Sequence, residues 1–454
     1  MGATVATAQT PRRPDRPKER PLPTRRTQLR RYLREYPRQF WVLVLGIFVY
    51  VAAAALAFPY EGIFLHRELG VSMTMVGLLF GFVPFAVIPF HFLGGRLTDR
   101  FGRRPMIVLS LIMGIVWFVG FAYAEAVWQV ALLVAVESAF GWPLFQTASN
   151  AMVADLMPLE RRQEAFSITR VAMNTGVVIG PAAGGIALGW GTSFRQLFLA
   201  AAVGIVLITV LMLVWIHESR PESARLPAPA DGHGRVGYRI VFADHGFLLF
   251  SAVAVLPVLC IGTFGSIFSV YITDYLGIGY GTWGWLLAWN AFIVAALQFP
   301  LIRATRYRNR MLLLALSSAL LAVGLGGSAL AAGIVSLVVL VTVMSLGEVF
   351  LSPVASAQVS DFAPEAVRGR YMGVWTIVWN GGASLGPFYG GWAMDTLGGR
   401  EAFGTLLGIG LLGALLFLLL ARRGMGVPGV GPGAATTAPA EGPGVGVATA
   451  RADL

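Results

Sequence analysis

The amino-acid sequence predicts an all-α integral membrane protein with twelve transmembrane helices in two pseudo-symmetric six-helix bundles. Three observations predict it. Of 454 residues, 56% are hydrophobic and only 13% are charged. That is about half the charge of a soluble globular chain, too little for a water-facing shell. Twelve apolar stretches of membrane-spanning length follow one another. The second half also repeats the first at a fixed offset of 206 residues.

Residues 1–39 are rich in Pro and Arg and lack apolar periodicity, and residues 423–454 are rich in Gly, Pro and Ala. Both compositions predict disordered tails. Between them lie the spans 41–60, 73–93, 106–124, 127–153, 166–188, 196–216, 247–271, 283–302, 311–331, 334–358, 371–393 and 403–420. Crossing the hydrocarbon core takes about 20 helical residues. The 55 glycines and 25 prolines fit this class, because neighbouring membrane helices satisfy the backbone groups that such residues free.

The longest hydrophilic connection, residues 218–245, splits the spans six and six. The N-terminal bundle is then 40–217 and the C-terminal bundle 246–422. With the N-terminus inside, all but four of the 34 basic residues fall in the tails or in the loops on that same side. The exceptions are Arg67, Arg170, Arg195 and Arg400. The positive-inside rule predicts both termini in the cytoplasm of a bacterial-type cell. A cleaved signal peptide is the poorer reading of Trp41–Leu56, because the preceding basic region is too long. Net charge is +11, but no basic run lies in a soluble domain, so no nucleic-acid partner is expected. The lone Cys260 permits no internal disulfide and fits no metal-site spacing.

The repeat is specific. Asp155, Pro158 and Arg162 recur as Asp361, Pro364 and Arg368. Asn174, Gly176, Gly180, Pro181, Gly184 and Gly185 recur as Asn380, Gly382, Gly386, Pro387, Gly390 and Gly391. Arg100 and Arg104 recur as Arg306 and Arg310. Parallel six-span repeats place a binding site near the midplane between the halves, which rock against one another.

The loop after span two reads Gly95-Arg96-Leu97-Thr98-Asp99-Arg100-Phe101-Gly102-Arg103-Arg104. Glycines allow a tight turn, and one acid among four arginines points to a specific charge-assisted contact. This segment resembles the signature loop of the major facilitator superfamily, a resemblance that covers residues 40–422. The resemblance implies a latch that breaks and remakes contacts between the halves, with Asp99 as the acid, Arg103 and Arg104 as its basic partners and Asp155 as a second acid. In the second half Thr305 stands where the acid belongs and Leu301 replaces the glycine, so the latch is expected to be one-sided.

In span five, Gly176, Gly180 and Gly184 are four residues apart and form a smooth ridge for close helix packing. The ending Gly180-Pro181-x-x-Gly184-Gly185 resembles the fifth-helix motif of the family's proton-coupled drug antiporters. Arg170 and Asn174, one turn apart, face away from the ridge, which makes them and Asn380 candidate cavity polar groups. The alternative for Arg170 is snorkelling to the surface, about 9 Å away.

Acids within membrane spans are costly and are functional candidates. Glu137 in span four and Glu348 in span ten lie near mid-depth and are the candidates for proton coupling. Glu61 is the next candidate, though its position late in span one predicts an interfacial residue. His91 reads as structural or interfacial, and Asp274 and Asp395 read as solvated. No catalytic residue, nucleotide fingerprint, metal cluster or cofactor site is found. The expected function is gradient-driven: a proton-coupled antiporter exporting small amphiphilic molecules, with protons, the solute and the bilayer as its partners, acting as a monomer. The alternatives are a proton-coupled symporter for a sugar, peptide or organic acid, and a non-transporting membrane sensor or scaffold.

Overall fold

The computed structural model describes residues 36–86, 88–219 and 238–426, without the side chains of 88–93 and 366. Residues 1–35 and 427–454 of the two expected disordered tails, most of the linker and the side chain of His91 lie outside the described residues; of the first tail's described end, 38–39 already belong to a helix.

Among the described residues, ten helices are long and apolar enough to cross a membrane. They are α1 (Arg38–Arg67), α3 (Arg103–Tyr123), α4 (Val127–Leu156), α5 (Leu159–Gly189), α6 (Phe194–Trp215), α7 (His245–Tyr275), α8 (Tyr280–Thr305), α9 (Arg310–Leu330), α10 (Ile334–Phe362) and α12 (Gly399–Arg422). Two more passes complete twelve. One is α2, helical over 73–86 and 88–101; the other is α11 (Arg368–Leu397). At 1.5 Å per residue the 30-residue α11 is about 45 Å long, ample for a crossing. Its many glycines and its Asn, Tyr and Trp residues lower its mean hydropathy. Twelve passes bring the two ends of the described residues, 36 and 426, to one side, called here the terminal side. The opposite face is the far side.

Sequence explains the closest packing. The ridge of α5 lies on α1: a Cβ at Gly180 would sit 2.7 Å from the Ala52 carbonyl oxygen, and one at Gly176 would sit 2.9 Å from the Ala52 nitrogen. The repeat does the same in α11, where a Cβ at Gly386 would sit 2.8 Å from Gly262 Cα of α7. The last glycine of each motif turns to the other half. Gly185 faces the Tyr280 carbonyl of α8, and Gly391 faces Met73 of α2. Helices α3 with α6 and α9 with α12 pack within their own halves. The halves meet through α5 with α8, α2 with α11 and α1 with α7.

Three elements differ from expectation. Span four is not continuous: it breaks at Gly141, whose ψ is −116°. The cause is Pro143, which has no N–H to donate and whose ring would clash with the Ala139 carbonyl of a continuous helix, so the chain breaks at Gly141 and Pro143 falls in the first turn of the next helix. Helix α1 runs seven residues past the expected end at 60, to Arg67. Helix α5 begins at Leu159 instead of 166. The α1 extension is buried over 61–65 and ends in His66 and Arg67, and the α5 extension is too polar to register as an apolar run.

Candidate functional site

The two halves touch along the far side and part toward the terminal side. In the antiparallel α2–α11 pair, Gly77 meets Pro387, Gly81 meets Ser384, and the Phe85 ring lies 3.4 Å from a Cβ built on Gly381. Nearer the terminal side the pair separates: Gly95 of α2 and Gly369 and Gly373 of α11 have no such neighbour within 4 Å. This pair is therefore in close contact toward the far side and not at these positions toward the terminal side.

Glu137 sits one turn before the break in α4. Its Oε1 accepts the backbone N–H of Trp142 at 3.0 Å, a donor the break would otherwise orphan, and the hydroxyl of Tyr50 of α1 at 3.3 Å. Its Oε2 is buried and has no hydrogen-bond partner among the described residues. Tyr50 stacks on Phe145 at 4.6 Å and Trp142 at 5.6 Å, which fixes its hydroxyl on the carboxyl.

Glu61 is 0% exposed. The expected interfacial position is corrected by the extra two turns of α1 beyond it. Its Oε1 accepts the indole N–H of Trp117 of α3 at 2.8 Å, and its Oε2 is buried without a partner among the described residues. In the other half, Asn290 of α8 donates to Glu348 at 3.0 Å and to the Ser345 hydroxyl at 2.9 Å. Tyr50, Trp117 and Asn290 were not singled out in the sequence. A mid-span Asn such as Asn290 was the one signal available.

Arg170 lies eleven residues into the longer α5, about 16 Å from its start, beyond a polar stretch of Glu160, Arg161, Arg162, Gln163 and Glu164. It is exposed, and neither it nor Asn174 forms a hydrogen bond to another described residue. Asn380 is spent locally, donating to the Thr376 carbonyl at 2.8 Å. The structure brings Glu61 and Glu137 into one half and leaves Glu348 in the other.

At the terminal side, Arg103 reaches Asp155 at 2.9 Å and Asp99 only at 3.5 Å. The Asp99 side chain is 76% exposed. Gly102 (φ 103°) lets the chain enter α3, and Glu218, after α6, accepts the N–H groups of Arg103 and Arg104 at 2.9 and 3.1 Å. These first-turn donors have no partner within their helix. The side chain of Arg104 is not a partner of Asp99: it donates to the Leu213 carbonyl at 2.7 Å, because it projects toward α6. The guanidinium of Arg100 lies 5.3 Å from the Phe101 ring centroid. The second-half counterpart is the ion pair of Arg310 with Asp361.

The far side corrects the reading of Asp274 and Asp395 as merely solvated. Asp274 of α7 accepts from Arg67 of α1 at 2.8 Å, and Arg67 also donates to the Tyr280 hydroxyl at 2.6 Å. Asp395 of α11 accepts from the Thr74 hydroxyl at 2.6 Å and from the N–H groups of Thr74 and Met73 at 2.7 and 3.1 Å. Both acids bridge the halves. Among the described residues, no group of three or more His, Cys, Asp or Glu is placed to hold a metal ion.

Comparison with known proteins agrees with this architecture. The sequence profile of the Major Facilitator Superfamily matches residues 43–271 and 250–443. The chain is 30% identical over 396 residues to the uncharacterised MFS-type transporter YqjV of Bacillus subtilis (strain 168), covering 85% of this chain and 94% of that protein. It is 26% identical over 397 residues to the multidrug resistance protein MdtH of Salmonella arizonae, covering 84% and 90%. It is 25% identical over 403 residues to a Na(+), Li(+), K(+)/H(+) antiporter of Planococcus maritimus, covering 81% and 94%. The fold is similar to the crystal structure of the nucleoside transporter NupG, with TM-score 0.73, 12% identity and coverage of 84% and 100%. It is also similar to that of the peptide transporter POT, with TM-score 0.69, 16% identity and coverage of 85% and 95%. The chain belongs to the major facilitator superfamily and is a secondary transporter.

Proposed function

We propose that this transporter is a proton-coupled exporter of small amphiphilic molecules, with both termini in the cytoplasm. The observation that carries the coupling is Glu137, a buried carboxyl with one oxygen unpartnered among the described residues, seated at a mid-membrane helix break and bonded to Tyr50. Such a group can take up a proton when it faces one compartment and release it to the other, and broken helices at mid-depth are where transporters bind their cargo. Glu348 supplies a second carboxyl across the cleft, and Glu61 a third behind Glu137. Arg170, Asn174 and Asn380 are the proposed polar contacts for cargo. Export is supported by the Gly-Pro-x-x-Gly-Gly ending of α5 and by the multidrug resistance relatives at 26% identity. The basic loops support a cytoplasmic terminal side, which makes the present state open to the cytoplasm.

Asp99 then serves as the latch for the opposite state. Continuing the α2–α11 register toward the terminal side lays Asp99 opposite residues 366–368, beside Arg368 and Arg370. Its exposure fits a group whose partner has moved away.

Purified protein in liposomes tests the reading. An imposed pH gradient should drive uptake of a cationic dye against its concentration gradient, with protons moving the opposite way. Co-movement of solute and proton would instead establish symport. Flux driven only by a Na+ or K+ gradient would establish cation exchange, and no flux under any gradient would leave a sensor or scaffold.

A further inference from the structure

We propose that Asp395 is the far-side counterpart of Asp99, so that the α2–α11 pair works as a two-position switch with one acid for each closed end. Among the described residues, all three hydrogen bonds of Asp395 cross between the halves, to Met73 and Thr74. None ties it to its own bundle, so this side chain contributes to neither half alone. Its donors are well chosen: the first N–H groups of a helix have no partner within that helix, and a carboxylate is favoured there by both hydrogen bonding and charge. The bonds exist only while the far side is shut.

The two acids cannot both be engaged. The pair is packed from Met73 with Gly391 to Phe85 with Gly381, while Gly95, Gly369 and Gly373 stand clear beyond. Each half is a packed body, so closing the terminal end of this pair must part the far end. Asp395 is engaged now and Asp99 is exposed, as a single switch requires.

The switch belongs to one interface. Under the 206-residue offset Asp395 corresponds to Gly189 and Asp99 to Thr305. The related pair, α5 with α8, thus has an acid at neither position. It is joined instead by close backbone approach of Gly185 to Gly284, where a Cβ on Gly185 would lie 3.1 Å from Gly284 Cα. Arg67 with Asp274 and Tyr280 adds a polar tie beside it. The inference rests on the alternating-access reading, and on neither the cargo nor the coupling ion.

The test measures distances between spin labels in the full chain with its one cysteine removed (Cys260→Ser). One pair, Glu68→Cys with Leu397→Cys, reports the far side; a second, Glu160→Cys with Glu365→Cys, reports the terminal side. Asp395→Ala should lengthen the first distance, shorten the second and change the ratio of states by roughly tenfold or more, the scale of losing charge-assisted hydrogen bonds. Thr74→Val, which removes one donor, should shift the ratio less in the same direction, and Asp395→Glu should stay near the parent. Adding Asp99→Asn to Asp395→Ala should draw the ratio back. A parent that exchanges between states while Asp395→Ala matches it in both distances would overturn the switch. A parent locked at one pair of distances under every pH and ligand tried would overturn the alternating-access reading instead.

Discussion

At the scale of single residues, three carboxyls differ in what surrounds them, and their substitutions should differ too. Glu137→Gln keeps an acceptor for the Trp142 N–H and the Tyr50 hydroxyl, so the break in α4 should survive. A neutral amide mimics the loaded acid but cannot release a proton. The expectation is that Glu137→Gln or Glu348→Gln abolishes proton-driven flux while dye binding stays within about threefold of the parent; normal pH-dependent flux in both would remove them as carriers. Glu61→Ala should behave differently. It leaves the Trp117 indole N–H unpaired in a fully buried site, at a cost of about 1–3 kcal/mol, so a lower melting temperature in detergent is expected whatever the transport result. Glu137 and Glu348 were legible in the sequence because an acid in an apolar run is conspicuous. The partnerships of Asp274 and Asp395 were not, because their partners lie 207 and 322 residues away. An acid at a span end looks the same whether it meets water or another helix.

At the scale of elements, the glycine ridge sets how closely α5 approaches α1. Gly180→Val would place a Cβ 2.7 Å from the Ala52 carbonyl and from the Ala55 methyl, with two more methyl groups to seat. Overpacking of this kind typically costs about 1–3 kcal/mol, and here both neighbours are backbone or Cβ atoms with little room to move. Lower thermal stability and lost transport are expected, read by size-exclusion melting and dye flux; a parent-like result in both would mean that α5 can shift bodily. The ridge was legible because four-residue spacing projects onto one helix face. Helix ends were legible only where apolar runs stopped at turns. The first turns of α5, Leu159-Glu160-Arg161-Arg162-Gln163-Glu164, are helical yet too polar to register as a span. The break in α4 was readable from Gly141-Trp142-Pro143, but apolar continuity across it outweighed that signal.

At the scale of the whole molecule, transport depends on two states of similar free energy. Asp99→Asn should leave the spans inserted, since it changes no apolar residue, and should weaken the state closed at the terminal side. Losing one charge-assisted contact there corresponds to about tenfold or more in the state ratio, and turnover should fall comparably at equal membrane abundance. Parent-like turnover would remove the latch assignment. Twelve spans and two halves could be read from composition, spacing and repetition. Which end is shut could not, because both states are built from the same helices and differ only in how two bodies lean.

The unequal distribution of Asp99 and Asp395 also bears on descent. An ancestor that was a pair of identical N-terminal halves would have carried Asp99 twice and, at the position of Asp395, Gly189 twice. Every acid would then have favoured closure of one face. A pair of identical C-terminal halves would have carried Asp395 twice and Thr305 twice, favouring the other. Joining two diverged copies in one gene lets a single molecule hold both preferences in balance. On the proposed switch, the differences at these four positions are what would let one molecule favour closure of either face in turn.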